Sequence, residues 1–330
     1  MGKMADLQRE FNTFHDRITL TFSKKDSLRR ARNALRDKIR KHFHETLKLI
    51  VPKFQGQGSY AMGTSVNPLS GEFDIDDGVY LQHLDSSNKS QWPTPATVHQ
   101  WLVQATDGHT SEKPIDKRTC VRVRYAGDYH VDLPSYGEYI ANYLLAEKGE
   151  KGWHRSDPLA LTNWFRGQVK NHGEQLRKMV RCLKAWADFQ SGRLGVMPNG
   201  LILTVLVCNY YRADQRDDIA FANTIRAISN AVRFAFSVYN PVDAGEELTA
   251  RLTATQKTRF QESISNAADA AAEAIDTDDR HEASKTWRKQ FGDRFPAVEK
   301  ENDSSQKKEA AAKLATIYAA KNPSKPWGYR

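Results

Sequence analysis

Cysteine is scarce in this chain. Cys120, Cys182 and Cys208 are the only three in 330 residues, and none belongs to a CxxC pair. A Cys-rich zinc site and a disulfide framework are therefore excluded, and a reducing, cytoplasmic setting is expected. Long apolar runs are missing too. The longest, around Leu201–Cys208, falls far below the roughly 18 residues of a membrane span. The opening MGKMADLQREF carries no apolar signal core, so neither secretion nor membrane insertion is expected. Ten histidines form no HExxH or related pattern, and no internal repeat is evident. His42 and His44 fall on a basic surface rather than in a metal site.

What is present is the composition of a soluble globular chain, 39% hydrophobic and 27% charged, long enough for a substantial core. The formal net charge is +9, and it is uneven. Residues 1–50 hold thirteen basic and six acidic side chains, which is +7 of the total. A basic arm near an anionic ligand follows more readily than a uniformly basic shell.

Within those fifty residues Leu28, Leu35, Ile39, Phe43 and Leu47 recur at intervals of seven and four. They predict an amphipathic helix, capped by Ser27 and ended by Pro52. Arg29, Arg30, Arg32, Arg36, Lys38, Arg40 and Lys41 fill its other surface, as plain solvation or as a polyanion-facing patch. Four glycines and a proline break residues 56–71 into loop and turn. FDIDDGVYL then alternates: Phe73, Ile75, Val79 and Leu81 face a core, while Asp74, Asp76 and Tyr80 face the other way, on an exposed acidic face. A polar loop over 82–97 leads to a helix near 97–107. A hairpin follows, with Thr119, Val121, Val123 and Tyr125 on one strand, a turn at 126–128, and Tyr129, Val131 and Leu133 on the second. His130 and Asp132 share the opposite face of that second strand, which Pro134 ends.

From about 158 the period turns helical, with helices near 158–170, 173–189, 198–213 and 217–237. The loop 240–249 introduces an Ala-rich helix of about 30 residues. A final helix near 303–320 precedes a polar tail. The change in composition places a boundary near 145–157. The expected organisation is a basic amphipathic region over 1–50 bridging two lobes, a catalytic lobe over 51–155, and a helical lobe over 156–330.

Three carboxylates carry the chemistry. Asp74 and Asp76, two apart on a strand, project to one side, and Asp132 can join them from a neighbouring strand. Such close carboxylates repel unless a cation intervenes. Mg²⁺ takes hard oxygen ligands and leaves positions for phosphate oxygens, and two such ions suit phosphoryl transfer. Gly58 and Ser59 sit in a loop of small residues whose amides and hydroxyl can approach a triphosphate. Arg177, Arg181 and Lys184 are spaced to share one helix face, either as phosphate-facing cations or as a solvated surface.

Together, GSYAMGTSV, GEFDIDDGVYL and YHVDLP resemble the core of polymerase-beta-like nucleotidyltransferases. The long N-terminal helix, the RKMVRCLKAWAD segment and NPVD at 240–243 are more closely similar to the bacterial cGAS/DncV-like nucleotidyltransferases (CD-NTases) of CBASS antiphage defence. The resemblance spans roughly residues 25–250. It implies an α+β fold: a mixed-sheet nucleotidyltransferase lobe against a helical lobe, with the active site in the cleft between them. It implies two Mg²⁺ ions, or Mn²⁺, on Asp74, Asp76 and Asp132. Ser59 would hold the donor phosphates, Lys184 would reach the triphosphate, and Gln57 would approach base or sugar. Family members often carry serine and tyrosine where this chain has Asn199-Gly200, so a phosphate or ribose contact is lost or passes to Asn199.

The activity implied is template-independent joining of nucleoside triphosphates, ATP and GTP foremost, into a cyclic oligonucleotide with release of pyrophosphate. A purine cyclic dinucleotide such as cyclic GMP-AMP is the expected product. The enzyme is expected to be monomeric, and its product to act on an effector protein. Two other readings stand beside this one. One is a nucleotidyltransferase with RNA or another acceptor, which the basic N-terminal helix favours. The other is an idle nucleotide or nucleic-acid sensing module. Base selectivity, linkage and ring size depend on pocket contacts rather than on these motifs.

Overall fold

The computed structural model describes residues 4–69, 71–300 and 311–314. Of the helix expected near 303–320, residues 311–314 are helical; the rest of it and the polar tail lie outside the described residues. Two hydrophobic cores organise the chain. One is helical and the other is built on a mixed sheet, and the first fifty residues contribute to both.

The expected amphipathic helix starts earlier than Ser27, and a separate helix precedes it. Helix α1, Gln8–Ile18, buries Phe11, Phe14 and Ile18 in the helical core. Helix α2, Phe22–Lys41, buries Leu28, Leu35 and Ile39 against the sheet, and Phe43 follows in a short π-helical turn over His42–Thr46. Thr21, not Ser27, caps α2, its hydroxyl accepting from the Lys24 amide at 3.3 Å. Ser27 lies inside the helix, and the helical stretch ends at Thr46, well before Pro52.

The sheet has eight strands: β1 Lys53–Gln57, β2 Phe73–Leu81, β3 Ile115–Asp116, β4 Val121–Tyr125, β5 Tyr129–Leu133, β6 Ser135–Tyr139, β7 Asn142–Glu147 and β8 Gly152–Arg155. Helix α3, Gly58–Met62, follows β1, and helix α4, Pro95–Thr106, packs on the sheet beside α2. Strand β2 runs parallel to β5 and then to β6. The register offset is the same from Phe73↔Tyr129 to Leu81↔Gly137, so β5 and β6 form one parallel track interrupted at Pro134. Pro134 has no N–H to give, but its carbonyl accepts from the Val79 amide at 2.8 Å. The remaining pairings are antiparallel, which makes the sheet mixed.

The helical side comprises α5 Pro158–His172, α6 Glu174–Leu194, α7 Gly200–Tyr210, α8 Asp217–Val232, α9 Ala254–Asp276 and α10 Arg280–Phe291. The single Ala-rich helix expected after residue 249 is in fact α9 and α10. Asp279 ends the continuity by capping α10 through the amides of His281 and Glu282. The loop expected over 240–249 holds a small hairpin of β9 Tyr239–Asn240 and β10 Asp243–Glu247. Trp186 is a core residue, 1% exposed and edge-on to Phe260.

Two polar links brace these elements, one within the sheet core and one between the helical core and the 64–69 loop. Asp77, fully buried on the apolar side of β2, receives a two-pronged pair from Arg36 of α2 at 2.7 and 2.5 Å. Arg294, after α10, donates to Asp188 and to the Ala185 carbonyl of α6, and to the Asn67 carbonyl of the 64–69 loop. The Leu69 amide also donates to Asp188. These bonds hold that loop against the helical core, directly over the site described next.

Candidate active site

Strand pairing sets out the three aspartates. Asp74 and Asp76 lie on one face of β2, and Asp76 is the register partner of Asp132 on β5. Sequence spacing alone expected an acidic face open to solvent; the structure turns it into a cleft between the cores. A cavity of about 960 Å³ is lined by Ser59, Asp74, Asp76, Asp132, Lys184 and Asn199, among others. A second, of about 1080 Å³, adjoins it and shares Gln57, Asp76 and Asp132. The carboxylates thus stand where two compartments meet.

Burial pushes the Asp76 carboxyl well above the usual carboxylate range, and the charges of Asp74 and Asp132 push it the same way. Asp74 is raised by burial, with Asp132 adding to the rise and His130 opposing it. Three hard oxygen donors that resist sharing negative charge are the chemistry a divalent cation answers. The donor set fits such an ion, although among the described residues no three ligand groups are already assembled as a cage.

Gly58 opens α3 with φ of +66°, and a Cβ there would stand 2.0 Å from Asp76 Oδ2. Only glycine combines this backbone with so close an approach. Ser59 shares a hydrogen bond with Ser65, 2.9 Å between hydroxyls. Lys184 Nζ donates to the buried Thr64 hydroxyl at 3.0 Å and to the Thr64 carbonyl at 3.4 Å. Burial lowers its ammonium to about 8, against the pull of Asp74 and Asp76. A Cβ on Gly200 would come within 3.1 Å of Lys184 Cε, so the glycine at the start of α7 leaves that side chain its room.

The other expected contacts take different positions. Arg181 donates to the Gly63 carbonyl and Arg177 to that of Met62; the pair brace the loop after α3, and neither lines the first cavity. The Asn199 side-chain oxygen Oδ1 caps α7, accepting from the amides of Leu201 and Ile202 at 3.1 Å each. Gln57 is buried and donates to the Tyr136 hydroxyl at 2.9 Å. His130 is buried opposite Asp74, its ring held toward neutrality by burial. The Tyr60 hydroxyl donates to the Lys25 carbonyl.

Arg122 is the residue that sequence reasoning missed. It grips Asp132 with two hydrogen bonds of 2.7 and 2.8 Å from the facing position of β4. The signal was available: in TCVRVRY the apolar positions alternate with Arg122 and Arg124, so the hairpin sets Arg122 on the Asp132 face. Thr64 and Asp188 were also missed, and nothing in their sequence surroundings distinguishes them.

Two family models match the chain. The nucleotidyltransferase domain of cyclic GMP-AMP synthase DncV-like proteins matches residues 52–136, and the C-terminal domain of cyclic GMP-AMP synthase matches residues 173–305. A cyclic GMP-AMP synthase of Escherichia albertii is 27% identical over 248 residues, covering 72% of this chain and 55% of that protein. A cyclic AMP-AMP-GMP synthase of Enterobacter hormaechei subsp. hoffmannii is 21% identical, covering 88% of this chain and 92% of its own. The chain spans about half the length of the cyclic GMP-AMP synthases it matches. The solved apo structure of Vibrio cholerae DncV superposes with a TM-score of 0.76 at 19% identity, over 89% of this chain and 97% of that one. That likeness establishes the fold: a mixed-sheet lobe packed against a helical lobe.

Proposed function

The chain belongs to the DncV-like nucleotidyltransferase family, and on that premise we propose that it joins nucleoside triphosphates into a cyclic oligonucleotide. The observation that carries this reading is the meeting of two compartments at Asp76 and Asp132. A donor triphosphate in one and an acceptor nucleotide in the other would bring a ribose hydroxyl to an α-phosphate. In each step the hydroxyl oxygen bonds to that phosphorus, the bond to the β-phosphate oxygen breaks, and pyrophosphate leaves. Positioning and charge stabilisation then account for most of the acceleration.

The chain's own groups have distinct tasks. Ser59 and Lys184 would hold the donor's phosphates, with Gly58 letting that loop approach Asp76. Asp74, Asp76 and Asp132 would hold the divalent cations, which when bound offset phosphate charge and acidify the attacking hydroxyl. Gln57 lines both compartments and is held by Tyr136, which lines the second.

Relatives differ in product: cyclic GMP-AMP, cyclic di-GMP, cyclic AMP-AMP-GMP and cyclic AMP-AMP-AMP synthases all match. Within that range we propose a purine cyclic dinucleotide for this chain. A nucleotide rather than RNA is the proposed acceptor, because a second compartment adjoins the carboxylates; four of the α2 cations are also engaged within the chain, Arg29 and Arg30 by Asp26, Arg40 by Asp37 and Arg36 by Asp77. Pyrophosphate release from mixed ribonucleotides and Mg²⁺ tests the reading. The protein should release it, and equal release by an Asp74→Ala/Asp76→Ala double variant would overturn the mechanism.

A further inference from the structure

Charge balance at the three carboxylates is unequal. Among the described residues neither Asp74 nor Asp76 has an ion-pair partner, whereas Asp132 is forked by Arg122, and both of these side chains are largely withdrawn from solvent, 12% and 17% exposed. Arg122 also pulls electrostatically on Asp74 and Asp76, ahead of Lys184 at each. Lys184 itself is parked on Thr64. A guanidinium fork occupies an oxygen lone pair on each side of the carboxylate. An arriving divalent ion must either displace the fork or bind beside a fixed positive charge.

We propose that Arg122 is a positioning residue that serves as the resident counter-cation of Asp132, holding that carboxylate toward Asp76 and keeping divalent ions from loading until a triphosphate arrives. The inference rests on the reading of the three aspartates as a cation site. The anionic oxygens of an incoming nucleotide offer the guanidinium and the metal a second set of partners. The repulsion between the two cations is then offset, and metal and nucleotide enter together. An enzyme built this way does not fill its catalytic centre with metal in the absence of substrate.

Binding of Mn²⁺ to nucleotide-free protein, read by electron paramagnetic resonance, tests this directly. Arg122→Gln should bind Mn²⁺ about tenfold more tightly than the natural chain, since a fixed positive charge has left the site. Arg122→Lys, which keeps the charge without the fork, should stay within about threefold of the natural chain. With a non-hydrolysable ATP or GTP analogue bound, the difference between Arg122→Gln and the natural chain should shrink. Equal or weaker Mn²⁺ binding by Arg122→Gln would overturn the proposal.

Because Arg122→Gln leaves Asp132 charged and unpaired, a second comparison guards against misfolding. The Arg122→Gln/Asp132→Asn double variant should bind Mn²⁺ more tightly than Asp132→Asn alone, and no difference there overturns the proposal as well. If the natural chain takes up no Mn²⁺ even with the analogue bound, the cation-site reading itself fails. That outcome is distinct from failure of the Arg122 role.

Discussion

Gly58 and Asp76 are in closer contact than any other residue type at position 58 would allow. A Cβ on Gly58 would lie 2.0 Å from Asp76 Oδ2, and the backbone there has φ of +66°. The glycine that opens the phosphate-facing turn and the carboxylate at the junction of the two cavities therefore form one steric unit. Gly58→Ala must move the aspartate, the turn, or both. Activity should fall by more than about a hundredfold, since displacement by about an ångström is enough for that. The positive-φ strain costs about 1–2 kcal/mol, so thermal denaturation should shift by a few degrees while pyrophosphate release nearly vanishes.

The fold disfavours the ionised form of Asp76. Burial, then Asp74 and Asp132, all raise its carboxyl. Asp76→Asn keeps the shape and removes the charge, so chelator-treated variant protein should be the more stable, by about 1 kcal/mol or roughly 2 °C in melting temperature. The same variant should be inactive. Differential scanning calorimetry in EDTA beside an activity assay measures both, and a destabilised variant would contradict the electrostatic account.

Lys184 supplies a pH dependence. Its ammonium lies at about 8, against an ordinary 10.5. The buried charge therefore opposes folding at pH values below about 8, and the opposition fades as pH rises toward its unfolded value. Nucleotide binding has the converse dependence, because a triphosphate favours the charged form and is left without a partner as pH rises through 8. KM for the triphosphate should rise about tenfold between pH 7.5 and 9. Calorimetric titration above pH 8, in buffers of different ionisation enthalpy, should show proton uptake on binding. Lys184→Met should remove the uptake.

Arg36 is a structural cation among surface ones. It pairs with fully buried Asp77, whereas the Arg29 and Arg40 side chains are about half exposed and form ion pairs with Asp26 and Asp37 of their own helix, Arg40 also lying over the Phe54 ring. Arg36→Met should cost about 3 kcal/mol by urea denaturation, since it leaves a buried carboxylate uncompensated. Arg29→Ala should change stability by less than about 0.5 kcal/mol.

The contrast between Arg36 and its neighbours shows what was legible in the sequence. Heptad-like spacing identifies the buried stripe of α2, but the partner of Arg36 comes from a strand 41 residues on, which local periodicity does not encode. For the same reason the alternation of FDIDDGVYL reveals two faces, while Asp77, an acid on the apolar face, needs Arg36 in place to be understood. The faces of the three aspartates were readable because strand alternation sets each by short-range geometry, while the meeting of Asp132 with Asp76 follows from the parallel pairing of β2 with β5. Strands β6, β7 and β8 were not, since their pairing follows from the parallel track that continues past Pro134. The division of the Ala-rich segment at 277–279 was missed because helical periodicity continues across it, and the Asp279 cap alone marks the break. Arg181 and Asn199 were selected by helix-face spacing and position at a helix start. A tertiary contact takes Arg181 to a loop carbonyl, whereas Asn199 caps its own helix by local bonds and also lines the first cavity.

The central claim is that Asp74, Asp76 and Asp132 drive cyclisation of nucleotides, and the mass of the product tests it most directly. Purified protein, Mg²⁺ and the four ribonucleoside triphosphates should be analysed by mass spectrometry after phosphatase treatment, with linkage-specific nuclease digestion of what remains. The account predicts a phosphatase-resistant species with the mass of a cyclic purine dinucleotide, absent from the Asp74→Ala/Asp76→Ala variant. Products that phosphatase degrades completely, or nucleotide incorporated only into added RNA, would contradict it.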